Sequence, residues 1–209
     1  MKLTGSIGKL YELRTYRIAA QDLPRMRSLV QEVFRVRVRH SRIVGYWSAE
    51  LGSLNQVFHI WEYDSLTARK AIRDALTLDQ DWNNKFLKLA LPAFEKQDNC
   101  VAKSLLGDIK SVWNDQDFYK VLAVNYQGLA QEDARKRFLK SVQQLQQQGP
   151  DVKGAFETVI GNSREFYVMH SSNDLDQLIG GEEALTGDPT AATTSKVLNP
   201  LQWTRWLKD

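Results

Sequence analysis

The sequence predicts an α+β fold in which two tandem βαββαβ units pack sheet against sheet. One observation is the order of strand and helix patterns, which occurs twice along the 209 residues. A second observation is the spacing of corresponding residues: Tyr16 precedes Gly45 by 29 residues, and Tyr126 precedes Gly154 by 28. Matched spacing indicates two copies of one supersecondary unit. Each unit leaves one sheet face without helices, so the open faces should meet as a barrel, within the chain or between chains.

The first unit shows the order βαββαβ. The predicted elements are strands at 9–18, 42–51, 55–65 and 96–104, and helices at 23–39 and 66–91, the second broken near 77–80. Segment 33–39 alternates apolar and charged residues as a strand does. We nevertheless predict helix there, because Met26, Val30 and Phe34 keep helical spacing and Pro24 fits a first helical turn.

The second unit repeats this order after a linker at 105–114, so the domains are expected at 1–106 and 107–209. The predicted strands are 119–126, 152–160, 164–171 and a last one near 201–207. The predicted helices are 131–147 and a short one near 174–179.

Composition is that of a folded protein, with 43% hydrophobic and 25% charged residues. Residues 1–106 carry 17 Lys/Arg against 11 Asp/Glu, and residues 107–209 carry 11 against 14. Opposite net charges favour docking of the two halves, and so small a basic excess predicts no nucleic-acid partner. The single cysteine, Cys100, and the lack of a long apolar run or signal segment predict a cytoplasmic protein with no disulfide and no membrane span.

The predicted strand at 55–65 places aromatic and polar side chains on one face. Side chains alternate across a strand, so His59, Trp61 and Tyr63 share one face while Phe58 and Ile60 share the other. Helices should cover the apolar Phe58/Ile60 face. The His59 face is then left for a pocket, a second sheet or a partner.

Segments 11–16 (YELRTY), 40–47 (HSRIVGYW) and 55–65 (NQVFHIWEYDS) resemble the NIPSNAP family, together with Arg69 and the Asp81–Trp82 pair. This similarity covers residues 9–103, and the second half matches only in its strand and helix pattern. The resemblance implies the dimeric α/β barrel, a ferredoxin-like fold. Family members are described mainly as mitochondrial or vesicle-associated proteins with interaction and signalling roles, and no general reaction is attached to them.

The candidate site combines the first and third strands of the first unit, which are adjacent in a ferredoxin-like sheet. The expected ligand-binding residues are Glu12, Arg14, Tyr16, Tyr46, Trp47, His59, Trp61 and Tyr63. Glu12 with Arg14 is either a structural ion pair or part of a polar pocket. The aromatic residues either hold a flat ligand or fill the space between two sheets. The basic group Arg35, Arg37, Arg39 and Arg42 is either a solvated helix face or an anion site.

Two function classes follow. The first is a small-molecule-binding or protein-interaction module, homo-oligomeric through sheet or edge contacts, with a small aromatic or anionic ligand. The second is a cofactor-light or haem-linked oxidative, monooxygenase-like enzyme, with His59 as base, Arg14 holding an anion and Glu12 orienting. The three histidines form no metal-ligand spacing, so no metal site is expected. No cofactor is expected under the first reading, and under the second haem would take His59 or His40 as axial ligand by fold analogy.

Overall fold

Eight antiparallel strands close into a barrel in this computed structural model, which describes residues 8–107, 109, 114, 117–162, 164–180 and 182–201. The strands are β1 (Leu10–Ile18), β2 (Ile43–Leu51), β3 (Gln56–Tyr63), β4 (Phe94–Ser104), β5 (Phe118–Tyr126), β6 (Asp151–Ile160), β7 (Glu165–Ser172) and β8 (Ala191–Pro200). The helices are α1 (Leu23–Val38), α2 (Leu66–Leu78), α3 (Lys88–Ala90), α4 (Gln131–Gln147) and α5 (Glu183–Thr186). A π-helical segment, Trp82–Leu87, leads into α3. Within the described part of the chain, none of the helices is both long enough and apolar enough to cross a bilayer.

Around the barrel the strands follow the order β1-β3-β2-β8-β5-β7-β6-β4. The first half therefore contributes β4-β1-β3-β2 as neighbours, and the second half contributes β8-β5-β7-β6. The halves meet where β2 pairs with β8 and where β4 pairs with β6. Of the two expected arrangements, closure occurs within one chain.

Most predicted bounds agree with the observed elements, including helix across the alternating segment 33–39 and α4 at its predicted residues. The predicted helix at 174–179 is only a 3₁₀ turn, Asp176–Leu178. The last strand was expected at 201–207, but β8 ends at Pro200 and residues 202–209 lie outside the described part. Sequence periodicity does not mark β8, because Ala191–Pro200 has little apolar alternation and is held by ladders to β2 and β5 on either side.

The barrel interior is packed with apolar side chains from both halves. They are Tyr11, Leu13, Val44, Trp47, Phe58, Ile60, Cys100, Ala102, Ile109, Tyr119, Val121, Phe156, Met169 and Leu198. The expectation that helices cover the Phe58/Ile60 face is therefore wrong. Facing sheets interdigitate without water, so the barrel interior takes the most apolar faces. The face with His59 and Trp61 lies outside the barrel, beneath α1 and the π-helical segment, where the buried Glu12 can pair with Arg69 of α2.

Candidate functional site

A cavity of about 260 Å³ lies between the outer face of β1, β2 and β3 and the helices that cover it. Strands β1, β2 and β3 contribute Arg14, Tyr16, Tyr46, His59 and Trp61, and the neighbouring β4 adds Phe94 and Gln97. The helices contribute Val30, Phe34, Arg37, Arg73, Trp82 and Phe86. The cavity is deep and aromatic near the sheet, and exposed residues such as Arg73 and Leu91 lie at its opening.

Glu12 lies fully buried beside this cavity and binds a helix arginine. Its carboxylate accepts from Arg69 Nη2 at 2.6 Å, Arg69 Nε at 3.2 Å and Asn99 Nδ2 at 2.7 Å. The Arg14 Nε atom is farther away, at 3.9 Å. Burial alone raises the pKa of Glu12, but the Arg69 hydrogen bonds, the Arg14 charge and the Asn99 hydrogen bond together hold it below its usual value. Glu12 therefore forms a structural ion pair chiefly with Arg69, and Arg14 is a weaker and more distant partner.

His59 pairs across the sheet with Arg14 and is 3% exposed. Its ring stacks on Tyr46, with centroids 4.7 Å apart, and meets the Tyr16 ring edge-on at 4.9 Å. Burial first, and then the positive charges of Arg14 and Arg37, lower the pKa of His59 well below its ordinary value. The imidazole is therefore neutral at physiological pH.

Arg37 on α1 is only 3% exposed, although the basic group to which it belongs was expected on a solvated face. Its Nη1 donates to Ser41 Oγ and its Nη2 donates to the Tyr63 hydroxyl at 3.1 Å. The guanidinium also lies 3.9 Å from the centre of the Trp61 ring. Burial lowers the pKa of Arg37, and both of these hydrogen-bond acceptors are uncharged oxygens. The solvated-face interpretation suits Arg35 and Arg39, which are exposed, but is wrong for Arg37.

Five of the eight expected binding residues line the cavity: Arg14, Tyr16, Tyr46, His59 and Trp61. Glu12 and Tyr63 stand behind the lining, where they bind Arg69 and Arg37. Trp47 does not belong to the site, because it points into the barrel and its ring lies 5.8 Å from Phe58 and 5.7 Å from Tyr119. Tyr46 and Trp47 are sequence neighbours in a strand, so only one of them can face the cavity.

The site residues missed at the sequence level are on helices. Arg37 continues the apolar stripe of Met26, Val30 and Phe34 at helical spacing, so the period places its side chain on the buried face. Arg69 and Arg73 are four residues apart and share one face of α2. Helical spacing could thus have found these arginines.

Three buried nitrogen atoms of the site have no hydrogen-bond partner among the described residues: Arg14 Nε, His59 Nδ1 and Trp61 Nε1. A buried polar group without a partner costs roughly 1–3 kcal/mol, and such groups in native proteins call for an explanation. Arg14 faces His59 across the ladder, and the His59 and Trp61 ring centres are 6.1 Å apart. The three atoms therefore belong to one patch of the sheet.

The π-helical segment covers the cavity from the helix side. Trp82 and Phe86 stack there with centroids 4.4 Å apart. Asp79 fixes the start of this segment, because its carboxylate accepts from the Trp82 amide at 3.0 Å and lies 2.8 Å from His40 Nε2. Single-turn π-helical insertions often occur at functional sites.

Haem does not fit these residues. The cavity of about 260 Å³ lies below the roughly 300–1,000 Å³ of pockets for drug-sized ligands, so it admits a small molecule but not a group as large as a tetrapyrrole. His40, one of the two expected axial ligands, instead binds Asp79 through Nε2.

The half of the chain that holds the cavity matches a known protein family. The NIPSNAP family model matches residues 11–105. An uncharacterized NIPSNAP domain protein from Burkholderia xenovorans is 31% identical over 44% of this chain and 90% of that chain, with a TM-score of 0.41. The chain belongs to the NIPSNAP family. Mouse NipSnap homolog 3B is 37% identical to this NIPSNAP chain over 94 residues, which are 44% of the chain and 38% of the relative.

The whole barrel also has structural neighbours. A candidate monooxygenase from Fusobacterium nucleatum superimposes on 93% of the NIPSNAP chain and 93% of its own length, with a TM-score of 0.65. Its sequence is 11% identical, so the similarity shows the fold alone.

Proposed function

We propose that this protein binds a small organic anion in the cavity between β1, β2, β3 and the helices. The observation that carries this proposal is the charge of the lining, whose described residues include Arg14, Arg37 and Arg73 but no carboxylate. Among the described residues, neither Arg37 nor Arg73 has a carboxylate within 4 Å. A buried guanidinium is costly without an opposite charge, so an anionic ligand would complete the site.

The rest of the lining favours a ligand with an apolar body. Aromatic rings stand on both sides, with Tyr46 and Trp61 on the sheet and Phe34, Trp82 and Phe86 on the helices. Few polar groups within a mostly apolar wall are typical of small-molecule sites. Of the two predicted module types, this wall supports small-molecule binding over protein interaction, because its charged groups lie inside a cavity.

Native mass spectrometry of the full chain purified from cells would test this proposal, with an absorbance scan beside it. We expect a bound anion in the wild-type protein that is lost in Arg37→Met and His59→Phe. Met169→Leu is the matched control, since Met169 lies in the barrel interior and not in the cavity. Retention of the ligand in both cavity variants would contradict the proposal.

The oxidative-enzyme alternative has one supporting observation, a neutral imidazole beside Arg14 in the cavity. A general base works best when its pKa lies near the operating pH. The pKa of His59 is lowered well below that range, so the imidazole would be a weak base. Binding is therefore the better-supported function.

We also propose that residues 1–106 and 107–209 are tandem ferredoxin-like domains that together form one α/β barrel of the dimeric type. The strand orders β4-β1-β3-β2 and β8-β5-β7-β6 support this, because each is the ferredoxin-like order of its own half. The barrel uses its own strand edges for closure. A homo-oligomer would accordingly use other surfaces.

A further inference from the structure

We infer that the ligand is an aromatic monocarboxylate whose carboxylate contacts the patch formed by Arg14, His59 and Trp61. This inference rests on the proposed function and specifies its ligand class.

The second half of the barrel shows what the same sheet position looks like without polar groups. Val124 stands two residues before Tyr126, as Arg14 stands two before Tyr16, and it pairs with Phe166 as Arg14 pairs with His59. Val124 and Phe166 are fully buried under α4. An apolar pair is therefore sufficient for packing at this position, so packing alone does not explain the Arg14–His59 pair.

The number of donors favours a carboxylate over a phosphate. Nη1 and Nη2 of Arg37 each use one N–H group on Ser41 or Tyr63, so Arg37 is anchored there and adds its positive charge to the cavity. Among the described residues that line the cavity, the buried nitrogens without hydrogen-bond partners are Arg14 Nε, Trp61 Nε1 and His59 Nδ1. Arg14 Nε and Trp61 Nε1 are donors, and a neutral imidazole donates from one of its two nitrogens. These two or three buried donors with unmet hydrogen bonds match the two oxygens of a carboxylate, whereas a phosphate ester would bring a third terminal oxygen and more charge against a mostly apolar wall.

The walls favour a flat body attached to that carboxylate. On the sheet side the Tyr46 and His59 rings are nearly parallel, with an interplanar angle of 14°. On the helix side Trp82 and Phe86 are stacked at 17°. The two rings of each pair face one another, so an aromatic ligand would meet ring edges or pack offset against an outer ring, both of which are favourable arrangements. The polar patch lies deep and the Trp82–Phe86 pair lies toward the cover, so the carboxylate points to the sheet and the ring to the helices.

Isothermal titration calorimetry with four matched probes tests this inference on the full chain: 2-naphthoate, 2-naphthamide, 2-naphthyl phosphate and nonanoate. We expect 2-naphthoate to bind at least tenfold more tightly than each of the other three, because a hydrogen bond to a charged group is worth about a factor of ten. Equal or tighter binding of the amide, the phosphate or the aliphatic acid would overturn the inference.

Variants locate the carboxylate. Trp61→Phe keeps a ring and removes Nε1–H, so 2-naphthoate should bind about tenfold more weakly while 2-naphthamide changes less. Arg14→Gln should weaken 2-naphthoate binding to the same degree. It is the variant to use if Trp61→Phe lowers the melting temperature. Arg27→Met is the matched control, since Arg27 is an exposed arginine of α1 outside this cavity. Unchanged 2-naphthoate affinity in both Trp61→Phe and Arg14→Gln would overturn the inference.

Different results would refute the carboxylate ligand class and the proposed binding of a small anion. A phosphate or sulfate ester found in the protein from cells would refute the carboxylate and leave small-anion binding standing. If the protein from cells holds no molecule and none of the four probes binds, both the ligand class and the proposed function are refuted.

Discussion

The imidazole of His59 stacks on the phenol ring of Tyr46, with ring centres 4.7 Å apart and planes inclined by 14°. This pair forms the floor of the cavity, and both residues are at most 5% exposed. Because this buried histidine also feels the positive charges of Arg14 and Arg37, its protonation in the folded state is unfavourable and its titration affects stability.

His59 should make the protein less stable in mild acid. Above about pH 6.5 the ring is neutral in the folded and unfolded states and contributes no pH dependence. As the pH falls below that value, only the unfolded chain takes up the proton, because the pKa of His59 is lowered in the folded state. The free energy of unfolding should therefore fall by up to about 1.4 kcal/mol per pH unit from this group.

Urea unfolding of ligand-free wild-type protein and His59→Phe between pH 7.5 and 5 measures this effect. The variant should show a smaller slope of stability against pH, since His40 and His170 are present in both proteins. Phenylalanine is a suitable substitute because Phe166 occupies the corresponding position. Identical slopes in the two proteins would show that His59 does not titrate as described.

Removing Arg69 should be strongly destabilising, because it leaves the fully buried carboxylate of Glu12 without its main partner. We expect Arg69→Met to lower the free energy of unfolding by roughly 3–5 kcal/mol at pH 7. Arg17→Met is the matched control, because the Arg17–Glu95 pair is about half exposed and should contribute under about 1 kcal/mol. Equal losses in the two variants, measured by chemical denaturation, would argue against a buried structural pair.

Gly52 should be sensitive to substitution because it lies where the β2–β3 hairpin meets β8. It has φ +94°, and an added Cβ would lie 2.9 Å from the Ser195 carbonyl oxygen. Gly128 also has a positive φ, +74°, but nothing lies within 4 Å of its added Cβ. Gly52→Ala should therefore lower the melting temperature more than Gly128→Ala, by a further loss of roughly 1–2 kcal/mol. A smaller effect at Gly52 would mean that β8 can move away from the hairpin.

Residues 1–106 expressed alone should self-associate. Separation from the second half exposes the barrel-facing residues Tyr11, Trp47, Phe58 and Ile60, and it leaves β2 and β4 without their partners β8 and β6. Unpaired strands and apolar faces of this size favour dimers. Sedimentation velocity should report a dimer whose formation is prevented by Phe58→Glu. A folded monomer at micromolar concentration would contradict the prediction.

The fold could be predicted largely from periodicity, whereas the orientation of the sheet could not. The alternation of residues 56–63 correctly separates His59 and Trp61 from Phe58 and Ile60. It does not say which set faces the helices, because a barrel covered by helices buries both faces of its sheet. Phe58 and Ile60 face the barrel interior because the apolar face of the second half's strands lies opposite them.

The candidate site was predictable where it lies on strands and not where it depends on helices. The pairing of Arg14 with His59 follows from adjacent strands in register. The closer pairing of Glu12 with Arg69 than with Arg14 does not follow from the strand register, because it depends on how α2 crosses the sheet. Arg37 was missed because its neighbours Arg35 and Arg39 suggested a charged helix face, although helical spacing places only Arg37 on the buried side.

A barrel closed by a single chain needs no symmetry between its two sheets. The polar patch of Arg14, His59 and Trp61 lies on one sheet, and Val124 and Phe166 occupy the opposite one. Each barrel therefore offers one such patch, so the proposed ligand would bind once per chain with a simple hyperbolic isotherm. A barrel of two identical chains would instead present two equivalent sites able to influence each other.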